Sequence, residues 1–170
     1  MADSSEMIDI YNDNRELTGV TLPRKSKLAP GQYMMYVYAL IEDLNGKYLI
    51  TQRSLDKKWA AGQWEVPGGG AMAGESSLDA IRREVYEETG LQFTDDQAAV
   101  IYSYKNIDDG GDNYFADIYL IKKDFTLNDV AIDLREANEA SLATINEMKQ
   151  IHESDGFLHY SRIIEALSNT

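Results

Sequence analysis

The segment from residue 68 to residue 91 constrains the fold of this chain more than any other part of its sequence. It opens with the run Gly68–Gly70, which a loop tolerates better than a helix or a strand does. Ser76 and Asp79 have the spacing of a capping box, which predicts that a helix begins here, and Gly90 is typical of the residue that ends one. The apolar residues between these signals share one face, at about 100° per residue, and they are Leu78, Ile81 and Val85. The sequence therefore predicts a glycine loop followed by a helix that packs on a sheet.

Three glutamates lie together on the flank of this predicted helix: Glu84, Glu87 and Glu88. Glu84 and Glu88 repel each other at i, i+4 by roughly 0.2–0.5 kcal/mol, and the helix dipole disfavours negative charge in the last turn. A hard divalent cation would reverse both penalties, because carboxylate oxygens are the ligands that Mg²⁺ and Mn²⁺ prefer. A solvated acidic face is the more ordinary interpretation of such a run when it stands alone.

The segment as a whole resembles the signature of the Nudix hydrolases. That signature is Gly, five residues, Glu, seven residues, Arg-Glu, an aliphatic residue, any residue, Glu-Glu, any residue, Gly and an aliphatic residue. Every fixed position is filled, by Gly69, Glu75, Arg83, Glu84, Val85, Glu87, Glu88, Gly90 and Leu91. The resemblance implies an α+β fold, the Nudix-type α/β/α sandwich with a central mixed β-sheet. It also implies metal-dependent hydrolysis of a diphosphate linkage, typically in a nucleoside diphosphate joined to another group.

The same resemblance assigns roles to individual residues. The implied ligands of Mg²⁺ or Mn²⁺ are Gly68 through its carbonyl, Glu84, Glu87, Glu88 and a further glutamate from a later loop. Glu136 matches that later position best and Glu139 is its rival, because Leu142 stands where the family carries a tryptophan. The implied catalytic set is Glu84, Glu87, Glu88 and Arg83, in which Glu84 or a neighbouring carboxylate is the general base and Arg83, with Glu75, orients the cluster.

Substrate contacts are predicted at four further positions: Lys25, Arg53, Trp59 and Gly69. Arg53 ends a predicted strand near the place where the family carries a cation for phosphate, although a surface residue is the alternative. Trp59 lies in a loop and is a candidate for stacking on a base, with a simple loop anchor as the other interpretation. Lys25 belongs to a basic loop at residues 23–31, which is either a solvated linker or the source of a cation that reaches a substrate phosphate. The sequence does not identify the substrate.

Two other functions compete with the hydrolase. An isopentenyl-diphosphate isomerase shares the fold, but its chemistry relies on a cysteine and on a histidine-rich metal site. This chain has no cysteine, and its two histidines, His152 and His159, lie far downstream and are expected to be ordinary surface or core residues. A non-catalytic module that uses a Nudix pocket for binding or sensing usually loses signature glutamates. All of them are present here, which favours the enzyme.

Composition limits the partners and the location of the protein. The formal net charge of −13, from 29 acidic and 16 basic residues, argues against binding a nucleic acid polymer or an anionic membrane. It is compatible with a small phosphorylated substrate if a metal supplies local positive charge. No apolar run approaches the roughly 18 residues of a membrane span, and the first residues lack the pattern of a signal peptide. A cytoplasmic protein is therefore expected.

The rest of the chain predicts two regions, an N-terminal extension at residues 1–30 and a Nudix domain at residues 31–170. Residues 6–11 and 17–22 resemble two strands of a hairpin with no obvious core to join, as in the Nudix branch similar to isopentenyl-diphosphate isomerase, and this hairpin could form a homodimer. Residues 32–42 are apolar on both faces, which predicts a central strand covered on both sides. Further strands are predicted at residues 47–54, 63–66, 98–105 and 114–123 and within 129–143, and two helices at residues 144–153 and 159–167.

Overall fold

The computed structural model describes residues 6–170 of the 170-residue chain. The strands, in chain order, are β1 Met7–Tyr11, β2 Leu17–Pro23, β3 Met34–Glu42, β4 Tyr48–Arg53, β5 Trp64–Glu65, β6 Gly68–Gly70, β7 Ala98–Asn106, β8 Tyr114–Lys122 and β9 Ala137–Ala143. The α-helices are α1 Ser77–Thr89, α2 Ile145–Asp155 and α3 Tyr160–Ser168. Within these residues no helix is long and apolar enough to cross a membrane.

The predicted central strand, β3, organises a mixed seven-stranded sheet. The main path of the sheet runs β5-β4-β3-β8-β7, while β6 pairs with β3 and β9 pairs with β4. β3 runs parallel to β8 over its whole length, and the other pairs are antiparallel. Val37 and Leu40, which point to opposite faces of β3, are both fully buried. The two-sided apolar pattern of residues 32–42 thus correctly predicted a strand at the centre of the sheet.

Helices cover the two faces of this sheet. On one face α1 packs through Ile81 and Val85 in the cluster of buried residues that contains Val37. On the other face α2 and α3 contribute Met148 and Ile163 to the cluster that contains Leu40. The predicted α+β class and the α/β/α sandwich are therefore confirmed.

The glycine run is a short strand, β6, so the prediction of a loop at these residues was wrong. Gly68 pairs with Tyr38 and Gly69 with Val37. A Cβ atom on Gly68 would lie 2.3 Å from the carbonyl oxygen of Val37, and one on Gly69 would lie 2.4 Å from Oε1 of Glu84. Glycine is required here because the strand is squeezed between β3 and α1, a close approach of backbone that the sequence alone does not distinguish from a flexible loop.

The N-terminal hairpin does have a core to join, contrary to the expectation from the sequence. β1 and β2 form a separate two-stranded sheet, and Ile8 and Ile10 of β1 are buried in the cluster that α2 and α3 also enter. The turn of the hairpin carries Arg15, whose guanidinium pairs with the buried carboxylate of Asp117 on β8. The division of the chain at residue 30 stays a prediction.

We expect the chain to form a homodimer through β2, because this edge strand is exposed along nearly its whole length. Leu17 and Val20 of β2 are 63% and 45% exposed. Sedimentation velocity at micromolar concentration should detect a dimer that dissociates in the double variant Leu17→Lys/Val20→Lys. The matched control is Leu44→Lys, since Leu44 is 75% exposed in a turn on another part of the surface. A monomer in the unmodified protein, or an unchanged dimer in the double variant, would contradict this prediction.

Candidate active site

Local signals fix the helix that carries the acidic flank. The capping box is formed, with the Asp79 amide donating to Oγ of Ser76 at 3.1 Å and the Ser76 amide donating to the Asp79 carboxylate at 3.0 Å. The helix ends at Gly90, whose φ of 72° is left-handed and whose amide donates to the carbonyl of Tyr86. α1 is therefore anchored at both ends, and its last two turns hold their glutamates against β6.

Arg83 ties the acidic residues of the site together. Its Nε and Nη2 atoms donate to the two carboxylate oxygens of Glu75 at 2.6 and 3.0 Å, and Nη2 also donates to the carbonyl of Gly70 at 3.0 Å. Its Nη1 atom donates to Oε1 of Glu84 at 2.8 Å and approaches Oε2 of Glu87 at 3.4 Å. Burial alone would raise the pKa of Glu75, but hydrogen bonds from Arg83 and from the Met72 amide lower it below its ordinary value. Glu75 is thus ion-paired with Arg83 at the start of the site.

Glu84 and Glu88 are neighbouring carboxylates on α1, of which Glu84 is buried and Glu88 is partly exposed. Their side chains interact directly. Burial raises the pKa of Glu84 in spite of the neighbouring Arg83. Burial raises the pKa of Glu88 well above its ordinary value, and the negative charges of Glu84 and Glu65 raise it further. Two carboxylates placed side by side in this way form a concentrated set of oxygen donors.

The peptide groups of β6 alternate between the sheet and the site. The Ala39 amide donates to the Pro67 carbonyl and the Ala71 amide to the Met35 carbonyl, both at 2.8 Å. In this antiparallel register the peptide groups of Gly68 and Gly70 point away from β3. The Gly70 carbonyl accepts from Arg83, and the backbone of Gly68 hydrogen-bonds Glu88. Gly68 therefore lies beside the carboxylate pair with its backbone directed toward it.

The oxygen atoms of this site are of the kind that bind a hard divalent cation. Carboxylate and peptide oxygens are the ligands that Mg²⁺ and Mn²⁺ prefer, and the cavity wall carries the carboxylates of Glu84, Glu87 and Glu88 beside the backbone of Gly68. Within residues 6–170, no three acidic or histidine side chains already stand in the arrangement of a metal site. The hydrogen bonds to Arg83 and between the two carboxylates hold these oxygens instead.

A cavity of about 610 Å³ opens over the carboxylates. Several predicted residues lie on its wall, namely Arg53, Trp59, Gly68, Gly69, Arg83, Glu84, Glu87, Glu88 and Glu136. Trp59 is 63% exposed, and the guanidinium of Arg53 lies 5.3 Å from the centre of its ring. Arg53 also donates to the Trp59 carbonyl at 3.2 Å and to Glu65 at 3.3 Å. An exposed aromatic ring with an arginine over its face thus borders the cavity.

Glu136 and Glu139, the two candidates for the glutamate of the later loop, lie in different places relative to the cavity. Glu136 lines the cavity and pairs with Lys57, another residue of its wall. Glu139 is exposed on β9 opposite Gln52 and lies outside the cavity wall. Of the two glutamates, Glu136 is therefore the one on the cavity wall, and its role stays a prediction.

The basic loop reaches the cavity through Arg24 and not through the predicted Lys25. Lys25 is exposed and lies outside the cavity wall, whereas Arg24 is part of it. The reason is the register of the hairpin: the Arg24 amide donates to the Glu6 carbonyl and its guanidinium pairs with the Glu6 carboxylate at 2.8 Å. Lys25 follows in the turn after β2 and is exposed to solvent.

His159 lines the cavity, although the sequence gave no reason to place it there. It precedes α3 in a left-handed conformation with φ of 59°, and its ring lies 4.6 Å from that of Tyr38. Burial lowers the pKa of His159 and so disfavours its charged form. Tyr36 and Tyr38 of β3 form the neighbouring wall. No local signal could reveal His159, because only the long-range packing of α3 on β3 brings it to the site.

Comparison with known proteins agrees with this geometry. Residues 32–160 match the model of the NUDIX domain. The chain belongs to the Nudix family. It is 34% identical over 153 residues to the Nudix hydrolase lmo0368 of Listeria monocytogenes, with 89% of this chain and 88% of that protein covered. It is 31% identical over 118 residues to the nucleoside triphosphatase NudI of Enterobacter, with 60% of this chain and 80% of that protein covered.

The fold of this Nudix protein is similar to that of DR0079 from Deinococcus radiodurans. The TM-score is 0.75 at 18% identity, and the alignment covers 95% of this chain and 99% of that one. The family model and the hydrolase relatives confirm the predicted enzyme class, a Nudix hydrolase. The suggested kinship with the branch similar to isopentenyl-diphosphate isomerase is not borne out, because these relatives are Nudix hydrolases and a triphosphatase.

Proposed function

We propose that this Nudix protein hydrolyses a diphosphate linkage in a small molecule, a nucleoside diphosphate joined to another group. The observation that carries the proposal is the pair of neighbouring carboxylates Glu84 and Glu88 beside the glycine strand β6, with Glu84 buried and held by Arg83. The name of the relative NudI, a nucleoside triphosphatase, supports a nucleotide substrate. The net charge supports a small molecule over a nucleic acid polymer, and a cytoplasmic location belongs to the same proposal.

The residues proposed to hold Mg²⁺ or Mn²⁺ are the carbonyl of Gly68 and the carboxylates of Glu84, Glu87, Glu88 and Glu136. A divalent ion bound there supplies positive charge to the phosphates and makes a water molecule more acidic. The chain itself contributes the base: Glu84, or the carboxylate that shares its hydrogen bond, accepts the proton that the attacking water loses. Arg83 keeps Glu84 in place and, through Glu75, connects it to the loop before α1.

Substrate binding is assigned to the wall of the cavity. Arg53 is proposed to contact a phosphate. Trp59 is proposed to stack on a base, because its exposed indole ring offers a flat aromatic surface. Gly69 lets the backbone of β6 pass within contact distance of Glu84, which leaves room for substrate beside the carboxylates. Tyr36, Tyr38 and His159 complete the cavity on the other side of β6.

A screen of phosphate release tests the proposed function. The substrates should cover nucleoside triphosphates, nucleotide sugars, dinucleoside polyphosphates, coenzyme A and oxidised nucleotides, each with Mg²⁺ and with Mn²⁺. We expect turnover of at least one class that requires the divalent ion. Tight binding of one of these compounds without turnover would instead support the alternative, a non-catalytic binding or sensing module.

Replacing Gly69 should damage the site more than the fold. A Cβ atom there would lie 2.4 Å from Oε1 and 2.6 Å from Cδ of Glu84, a carboxylate already held by Arg83. We expect Gly69→Ala to cost roughly 1–3 kcal/mol of stability and to lower kcat by about 100-fold, because a displacement of about 1 Å in a catalytic group has that effect.

The control for this prediction is Gly70→Ala on the same strand. Its Cβ atom would meet only the flexible end of Met34, at 3.1 Å, and the Arg24 guanidinium, at 3.7 Å. Steady-state kinetics measure kcat and thermal melting measures the stability of both variants. Equal kcat values for the two variants would show that the contact with Glu84 is not what matters.

A further inference from the structure

The N-terminal hairpin lies outside residues 32–160, the part of the chain that matches the family model, yet it contributes to the cavity wall. Glu6 and Arg24, at the open end of the hairpin, both line the cavity that holds Glu84 and Glu88. The hairpin is therefore close enough to act on a substrate and is more than a structural appendage.

The hairpin is fastened to the loop that precedes α1. The Ala73 amide donates to the Met7 carbonyl at 2.8 Å, and the Gly74 amide donates to the Asp9 carboxylate at 2.7 Å. Ile8, between these two residues of β1, is buried in the core. Because both backbone and core contacts hold β1, the end of the hairpin has a fixed position relative to the carboxylates.

The guanidinium of Arg24 lies over the glycine strand. A Cβ atom on Gly70 would be 3.7 Å from its Nη2 atom and 3.8 Å from its Nε atom. The carbonyl of this same glycine accepts a hydrogen bond from Arg83. The positive charge of Arg24 also acts on the hydroxyl of Tyr36, where it opposes the effect of burial on the pKa of that tyrosine. Arg24 is thus placed between β6 and the tyrosine wall, beside the acidic cluster.

Most of the hydrogen-bonding capacity of Arg24 is unused within the protein. A guanidinium has five N–H donors, and the Nη1 atom of Arg24 donates to the Glu6 carboxylate at 2.8 Å. Among the described residues, its Nε and Nη2 atoms have no hydrogen-bond acceptor. The side chain is 26% exposed, and that exposure is into the cavity. A planar fork of donors in such a place is suited to the paired oxygens of a phosphate.

We propose that Arg24 binds a phosphate group of the substrate, so that the N-terminal hairpin completes the active site and helps to select the substrate. The proposal rests on the proposed function, because it concerns the substrate of that reaction. Arg24 contacts one of the phosphates of the diphosphate linkage, and its ion pair with the Glu6 carboxylate holds the Nη1 end of the guanidinium in place.

The test compares Arg24→Gln with Lys25→Gln in the full-length protein. The two variants lose the same charge from adjacent positions, but only Arg24 faces the cavity. The binding of α,β-methylene-ADP, whose phosphorus–carbon bond resists hydrolysis, is measured by calorimetry with Mg²⁺, and KM and kcat are measured on the substrate found by the screen. We expect Arg24→Gln to raise Kd and KM by roughly 10–100-fold with a smaller change in kcat, and Lys25→Gln to change neither by more than about twofold.

Arg24→Lys is the control for a purely structural effect of the substitution. It keeps the positive charge and most of the side-chain volume, so it should bind the analogue more tightly than Arg24→Gln does. Equal Kd values for Arg24→Gln and Lys25→Gln, or for Arg24→Gln and Arg24→Lys, would overturn the proposal.

The outcomes also separate this inference from the proposed function. Binding of the analogue that depends on Arg24, with no turnover of any substrate, would leave the inference standing and refute the hydrolase. Turnover of a substrate with an unchanged KM in Arg24→Gln would support the hydrolase and refute the inference about Arg24.

Discussion

Glu88→Gln should reduce diphosphate hydrolysis by at least about 100-fold, the scale of loss when one pre-organised electrostatic group is removed from a catalytic site. Glu88 lies against Glu84, and the backbone of Gly68 hydrogen-bonds its carboxylate. A glutamine has nearly the same shape, but it carries no negative charge and cannot accept a proton as a carboxylate does. Initial rates at saturating Mg²⁺ measure the loss. Glu139→Gln is the control, because Glu139 is exposed on β9 outside the cavity wall, and its rate should stay within about twofold of the unmodified enzyme.

The same variant tests whether the acidic flank holds a metal ion. Mg²⁺ that binds only the folded protein stabilises it by about 2.7 kcal/mol at one hundred times the dissociation constant. We expect Glu88→Gln to lose most of this stabilisation. Without Mg²⁺ the variant should melt no lower than the unmodified protein, because the change removes repulsion from Glu84 and Glu65 and an unfavourable charge in the last turn of α1. If hydrolysis and the Mg²⁺-dependent rise in Tm both survive, the glutamates are only a solvated surface.

The helix and the central strand were predictable because their signals are local. The capping box at Ser76 and the left-handed Gly90 bracket α1, and the spacing of Ile81 and Val85 identifies its buried face. The central position of β3 can likewise be predicted from the sequence, because the residues on both of its faces are apolar. In each case the residues that determine the structure lie close together in the sequence.

The remaining features depend on contacts between distant parts of the chain. The run Gly68–Gly70 has the composition of a loop, and only the presence of Glu84 and Val37 on either side explains why it is a strand. Whether Arg24 or Lys25 faces the cavity depends on the register of the hairpin against Glu6. His159 reaches the site only because α3 packs on β3. The sequence therefore named the acidic flank of α1 and the wall residues Arg53, Trp59 and Glu136, but it did not name Arg24 or His159.

A large effect on stability is expected at Asp117, which no sequence pattern indicated. Its side chain is 3% exposed on β8 and accepts hydrogen bonds from three elements: Arg15 Nη1 at 2.8 Å, Ser77 Oγ at 2.6 Å and Ser103 Oγ at 2.7 Å. These donors come from the turn of the hairpin, the first turn of α1 and β7. A single buried carboxylate thus joins the hairpin and the signature helix to the sheet.

Asp117→Ala should lower the free energy of unfolding by about 1–3 kcal/mol, because the buried donors of Ser77 and Ser103 lose their acceptor and Arg15, whose side chain is 34% exposed, loses its partner. Urea unfolding at pH 7 measures the loss. Asp117→Asn, which keeps the shape and part of the hydrogen bonding, should cost less. The control is Asp95→Ala, which breaks the exposed pair of Asp95 with Arg82 and should cost no more than about 1 kcal/mol. Similar losses in Asp117→Ala and Asp95→Ala would show that the buried network contributes little.

The pH dependence of this loss has a definite sign. Burial would raise the pKa of Asp117, but the hydrogen bonds from Arg15, Ser103 and Ser77 outweigh it and hold the pKa below its ordinary value. The unfolded chain therefore takes up a proton at this group near pH 3.9, before the folded protein does. The contribution of Asp117 is complete above that pH and is lost as the pH falls through the lower folded value. The difference in stability between the unmodified protein and Asp117→Ala should accordingly be constant from pH 7 to pH 5 and shrink below about pH 4; a difference that grew on acidification would contradict the ionised network.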